Sequence, residues 1–198
     1  NVRVVGNLIV DAVAETLPKA LEVSGVLARL DLNPKGYALA TLHRAGAVDR
    51  KETFGQMLEG LGRVARDNDL TVVYPVHPRS RKNLEQFSLV VPDGVRLTDP
   101  VDYFDFLTLE ANARLILSDS GGIQEEAAIL GIPLVTLREN TERPETIALG
   151  SNMLAGFSPD RIAAAAKEML GRANDWKHPY GDHVAEKMWD VLEHDVLT

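Results

Sequence analysis

An apolar run, Leu115-Ile116-Leu117, passes directly into Ser118-Asp119-Ser120-Gly121-Gly122-Ile123-Gln124-Glu125-Glu126. The run reads as a buried strand. Behind it, Ile123, Ala127 and Leu130 recur at helical spacing until Gly131 and Pro133 stop the helix. Strand, Ser-Gly-Gly turn and helix N-terminus follow one another without a gap. The first N–H groups of such a helix have no partner within it, and the helix dipole adds positive charge there. Two glycines let an anion approach that backbone with no Cβ in the way. The turn therefore reads as a phosphate seat, with Ser120, Gly121 and Gly122 as its residues.

The same pattern recurs along the chain. Strand-like runs fall at 37–42, 71–76, 95–97, 115–118, 134–137 and 152–154, and helix-like runs at 11–30, 52–68, 102–113, 123–130, 160–170 and 182–192. Strands alternating with helices imply an α/β, Rossmann-like fold, a parallel sheet covered by helices on both faces. Right-handed crossovers would bring the strand C-termini to one edge. His43 and Arg44 follow the first strand, His77 the second, Ser120 the fourth and the 138–145 cluster the fifth. That convergence carries more weight than any single motif.

At about 100° per residue, Glu126 flanks the apolar stripe of its helix while Glu125 points nearly opposite. The first is expected sheltered and able to accept from two ribose hydroxyls, the second solvated. The plainer alternative has Ser120 as an N-cap and both glutamates as complements of the dipole. Arg44 could pair with phosphate and His43 could donate to it or move a proton. Residues 75–81 read as a rigid turn, and 138–145 as a polar loop with function and solvation equally open. His178, His183 and His194 form no metal set and are expected at the surface.

A net charge of -8 over 198 residues argues against general nucleic-acid binding. Without cysteine there is no disulfide framework, which fits a reducing cytoplasm. No apolar run has the length of a membrane span and no signal peptide is visible. The chain starts at Asn1 inside a patterned segment, Val2 to Asn7, so a piece of something longer is expected.

Residues 119–126, Leu130-Gly131-Ile132-Pro133, Leu137-Arg138 and Asn140-Thr141-Glu142-Arg143-Pro144-Glu145 together resemble the non-hydrolysing UDP-N-acetylglucosamine 2-epimerases. His43-Arg44, the 74–78 run, Tyr103-Phe104-Asp105-Phe106 and Pro179-Tyr180-Gly181-Asp182 fall in that family's order. The resemblance covers nearly the whole chain but only the C-terminal half of such an enzyme. It implies that 1–198 is the UDP-binding half of a GT-B type two-domain fold. Residues 1–30 would be a hinge and entry helix, and 182–198 a terminal helix that could cross to the N-terminal domain.

By the same resemblance, Ser120, Gly121, Gly122 and Arg143 would hold the diphosphate, Glu126 the ribose and the backbone near Phe106 the uracil. His43 would sit where the glycosidic C–O bond breaks. Arg44 and His77 resemble positions that contact a second, regulatory UDP-GlcNAc. This chain reads Ala45-Gly46-Ala47 where relatives commonly carry Glu-Asn, so that contact loses polar groups. The implied reaction is reversible inversion at C2 to UDP-N-acetylmannosamine, through elimination and re-addition of UDP. The acid/base carboxylates would lie on the other domain, leaving this piece inactive alone. No cofactor or metal is implied. A homodimer and cell-envelope polysaccharide synthesis are expected. The competing readings are the nucleotide-sugar half of a GT-B glycosyltransferase and a non-catalytic UDP-binding module.

Overall fold

The computed structural model describes residues 2–195. Six strands form one parallel sheet: β1 (Tyr37–Thr41), β2 (Thr71–Pro75), β3 (Val95–Thr98), β4 (Leu115–Ser118), β5 (Leu134–Thr136) and β6 (Asn152–Leu154). They lie in the order β3-β2-β1-β4-β5-β6, all neighbours parallel. The chain thus reverses its direction of growth between β1 and β4, whose ends pair Thr41 with Ser118. That switch point is where an open α/β sheet leaves a crevice beyond its strand C-termini. All six strands fall where the apolar runs predict them, and the Rossmann-like fold class holds.

Ten helices are described: α1 (Ile9–Val23), α2 (Val26–Arg29), α3 (Ala45–Val48), α4 (Lys51–Asn68), α5 (Pro78–Phe87), α6 (Tyr103–Asn112), α7 (Gly121–Leu130), α8 (Pro144–Leu149), α9 (Pro159–Gly171) and α10 (Val184–Asp195). Alternate residues of the central strands feed two cores, as a period of two requires. Ala38, Ala40, Leu115 and Leu117 join Phe54, Met57 and Leu61 of α4 and Ile162 and Met169 of α9. Tyr37, Leu39 and Ile116 join Leu109 of α6 and Ala127 of α7 on the other face. The first layer is drawn tight by Gly60, where a Cβ would lie 2.7 Å from Ile162 Cδ1.

Three local expectations are corrected. The single helix expected over 11–30 is two, because Ser24 leaves the helical path. Its Oγ donates to Asp105 Oδ1 (2.6 Å) and accepts from the Val26 N–H (3.2 Å). The expected turn over 75–81 opens α5 instead, with Pro78 at its first position and His77 Nδ1 accepting the Arg79 N–H at 3.2 Å. Pro144 likewise starts α8, so the polar loop ends at Arg143. The terminal helix appears as α10, while residues 1 and 196–198 lie outside the described part.

Candidate functional site

Thr41 ends β1 beside Ser118, so the next residues of both strands face each other across the switch point. Asp119 is fully buried there. Its Oδ2 accepts the backbone N–H groups of His43 (2.9 Å) and Arg44 (2.8 Å), and its Oδ1 lies 3.2 Å from His43 Nδ1. The Leu42 carbonyl accepts from the Tyr74 hydroxyl at 2.8 Å and the Ser80 hydroxyl at 2.6 Å. The His43 loop is therefore held from both sides. Hydrogen bonding to Asp119 raises the His43 pKa above its ordinary value, against partial desolvation. With Nδ1 on Asp119, Nε2 is the nitrogen left to face the edge.

Ser120 occupies the N-cap position of α7 without a side-chain capping bond, and its N–H donates to Ser118 Oγ at 3.0 Å. Gly121 is buried and Gly122 exposed, with nothing within 4 Å of a Cβ at Gly122. Glu126 is buried and accepts from the Tyr103 hydroxyl at 3.2 Å. Burial raises its pKa, partly offset by that hydrogen bond, and Glu125 adds to the rise. Desolvation and the Glu126 carboxylate push Tyr103 up to about 12. Phe106 is half-buried against the second core, its N–H bonded to Asp102 O at 2.9 Å.

Glu125 is not solvated. It is 8% exposed, accepts from Asn7 Nδ2 at 2.7 Å and lies 2.6 Å from Arg143 Nε. The helical wheel places it off the apolar stripe correctly. Distant chain covers that side: Asn7 is tied to the Tyr180 carbonyl at 2.9 Å, and the Tyr180 hydroxyl donates to Glu145 at 3.0 Å. Arg143 is consequently engaged by a buried carboxylate one turn behind the first residues of α7.

Arg44 lies 3.2 Å from Glu142, and the exposed His77 ring sits 6.1 Å from the His43 ring, tilted by 41°. His43, Arg44, Ser120, Gly121 and Gly122 thus share one edge, and Glu126 lies behind them on α7. His183 and His194 are exposed as expected. His178 is half-buried, stacked 6.1 Å from Tyr180, which corrects its surface assignment.

Sequence reasoning gave no role to Asp119, Gln124, Arg138 or Glu142. Asp119 was within reach of that reasoning, since it follows β4 as His43 follows β1. Gln124 is the hub of a buried network. It accepts from Thr141 Oγ1 (2.5 Å) and Asn152 Nδ2 (3.1 Å) and donates to the Ser120 carbonyl (3.1 Å). It thereby joins the α7 N-terminus, the polar loop and β6. Among the described residues no cluster of metal-ligating groups occurs, and no helix is long and apolar enough to cross a membrane. A cavity of about 920 Å³ opens elsewhere, at the strand N-termini near Gly36, Thr71 and Gly94, with none of the edge residues in it.

Fold and site together define a Rossmann-like domain with a glycine-opened helix N-terminus at its switch point. The chain belongs to the UDP-N-acetylglucosamine 2-epimerase family, whose model matches residues 1–193. A UDP-N-acetylglucosamine 2-epimerase of Methanocaldococcus jannaschii is 42% identical over 185 residues, 90% of this chain and 50% of the relative. One from Methanococcus maripaludis is 40% identical over 188 residues, 91% of this chain and 51% of its own. The crystal structure of the M. jannaschii enzyme in complex with UDP-GlcNAc and UDP matches with a TM-score of 0.88 at 40% identity. It covers 96% of this chain and 54% of that one. The chain spans about half the length of the curated relatives it matches.

Proposed function

We propose that the chain is the nucleotide-binding half of a two-domain, GT-B type enzyme that interconverts UDP-N-acetylglucosamine and UDP-N-acetylmannosamine. The observation that carries this reading is the meeting, at one switch point, of a glycine-opened helix N-terminus with a histidine oriented by a buried aspartate. The diphosphate rests on Ser120, Gly121 and Gly122, with Arg143 beside them, and Glu126 receives the ribose hydroxyls. The backbone near Phe106 meets the uracil. The family relationship supports each of these roles.

In the reaction a base on the other domain takes the C2 proton, the C1–O bond breaks, a C1–C2 double bond forms and UDP departs. Re-addition of UDP at C1 and of a proton at the opposite face of C2 completes the inversion. His43 donates from Nε2 to the departing diphosphate oxygen as negative charge builds there, while Asp119 holds the ring and its proton. Arg44 and His77 form a second sugar-nucleotide contact on the same edge. We place the enzyme in the cytoplasm as a homodimer, supplying cell-envelope polysaccharide synthesis.

The test is solvent deuterium. The intact protein should incorporate deuterium at C2 of UDP-GlcNAc, while residues 1–198 alone should bind UDP and catalyse no exchange. Exchange by the isolated piece would relocate the base. Failure to bind UDP would remove the reading altogether.

A further inference from the structure

The charged groups nearest Gly121 belong to the protein itself. A Cβ at Gly121, the first residue of α7, would lie 3.7 Å from both Glu142 Oε2 and Arg44 Nη2. Arg138 grips the Glu142 carboxylate with both terminal nitrogens, Nη1 to Oε2 at 2.5 Å and Nη2 to Oε1 at 2.8 Å. Arg44 Nη1 adds a contact to Oε1 at 3.2 Å. A planar anion is therefore held in a two-guanidinium fork beside the opening of α7, the arrangement in which a phosphoryl group is bound.

The two partners are not equally fixed. Arg138 directly follows Leu137, whose N–H donates to Ser118 O (2.8 Å), and its own carbonyl accepts the Gly156 N–H (3.0 Å). Its side chain is only 12% exposed, against 50% for Glu142. A largely desolvated guanidinium needs an anion, whereas a half-exposed carboxylate can swing into water. Arg138 and Arg44 hold the Glu142 carboxyl down at about 2, so it stays charged at any working pH. Only a competing anion can take its place.

We propose that Glu142 is a built-in stand-in for a phosphoryl group: the nucleotide's diphosphate displaces its carboxylate and takes over Arg138. Arg138 thereby becomes a diphosphate-binding residue, and Glu142 sets how much of the available attraction the ligand can use. A diphosphate, with more charge than one carboxylate, wins the exchange. A neutral nucleoside gains nothing from it, so the device selects for the diphosphate. This inference rests on the nucleotide site proposed above.

Calorimetric titration of the intact protein with UDP and, separately, with uridine tests it. Glu142→Gln removes the competing charge with little change in shape. It should tighten UDP binding by about twofold to fivefold, the range expected for one partly exposed ion pair. Uridine affinity should stay unchanged. Glu142→Ala should shift UDP in the same direction, and an Arg138→Gln background should abolish the gain. Unchanged or weaker UDP binding by both Glu142 variants, with thermal unfolding intact, overturns the stand-in and makes Glu142 a brace for the loop. An equal gain for uridine overturns it too. If the parent binds uridine but shows no added affinity for UDP, the diphosphate site itself fails, a separate result from the loss of the stand-in alone.

Discussion

The two helical layers that cover the sheet are built to different rules. The α4/α9 layer is close-packed hydrocarbon, with Gly60 letting Ile162 approach α4 and Phe54, Met57, Leu61 and Met169 fully buried. The α6/α7 layer buries Glu110, Gln124, Glu125 and Glu126 beside its apolar residues. Burying carboxylates costs stability unless each finds a partner. One layer is thus shaped for packing alone, while the other accepts that cost to set polar groups behind the switch point. Substitutions in the first should move stability and leave ligand binding alone. In the second the two effects should separate residue by residue.

The largest expected effect lies at the edge between the layers. In the intact protein, His43→Ala should lower kcat by about 10²–10³, the usual worth of one donor to a developing oxyanion, with a smaller change in KM. A kcat within a few fold of the parent would reduce His43 to a packing or regulatory residue. Because Asp119 raises the His43 pKa, protonated His43 stabilises the fold. That contribution is complete below the unfolded histidine value and is lost as pH rises through the folded one. Asp119→Asn should bring the His43 pKa, followed by NMR, back down.

In the packing layer, Ile162→Ala should cost about 2–4 kcal/mol of unfolding free energy, because a fully buried side chain leaves a cavity against Gly60. UDP affinity of the folded protein should not change. A parallel loss of UDP binding would show that the layers are coupled and break the comparison.

Neighbouring glutamates sharpen it further. Glu126→Ala should weaken UDP binding by roughly 1.5–3 kcal/mol, through loss of hydrogen bonds to a charged acceptor. Glu125→Ala should instead lower the melting temperature, since it orphans Arg143 and Asn7. If titration and melting give the two variants the same profile, their separate roles are wrong.

The difference between Glu125 and Glu126 also marks where sequence reading stops. The strands were legible because buried parallel strands are short apolar runs, as in Leu115-Ile116-Leu117. The Ser-Gly-Gly turn was legible because a strand, two glycines and a helical stripe occur in order. A helical wheel resolves only the face that a helix turns to its own core. It cannot know that Asn7 and Tyr180, more than a hundred residues away on one side, close over Glu125. The α5 helix was hidden for a different reason: Pro75 and Pro78 read as a turn, and the exposed Lys82, Glu85 and Gln86 dilute the apolar stripe that follows. Arg138 and Glu142 were visible as a charge cluster, but only folding shows that their fork stands beside Gly121.

Glu110 gives the smallest and most selective test. It is fully buried on α6, and neither carboxyl oxygen has a hydrogen-bond partner. Desolvation, and then the nearby Glu126, push its pKa well above the ordinary 4.5. The folded protein therefore binds this proton more tightly than the unfolded chain does. The linkage sign follows: stability is greatest when both forms are protonated and falls as pH rises above the unfolded carboxylate value. Glu110→Met keeps the length of the side chain and removes the group. At pH 7 it should stabilise the fold by about 1–2 kcal/mol, by sparing a polar group burial without a partner. Below the unfolded carboxylate value that advantage should shrink, because protonated Glu110 no longer carries a charge to desolvate. Denaturant unfolding of parent and variant from pH 4 to pH 8 reads the difference directly. Two parallel stability curves would mean that Glu110 keeps its charge state on folding, and coincident ones that this layer tolerates a buried carboxyl at no cost.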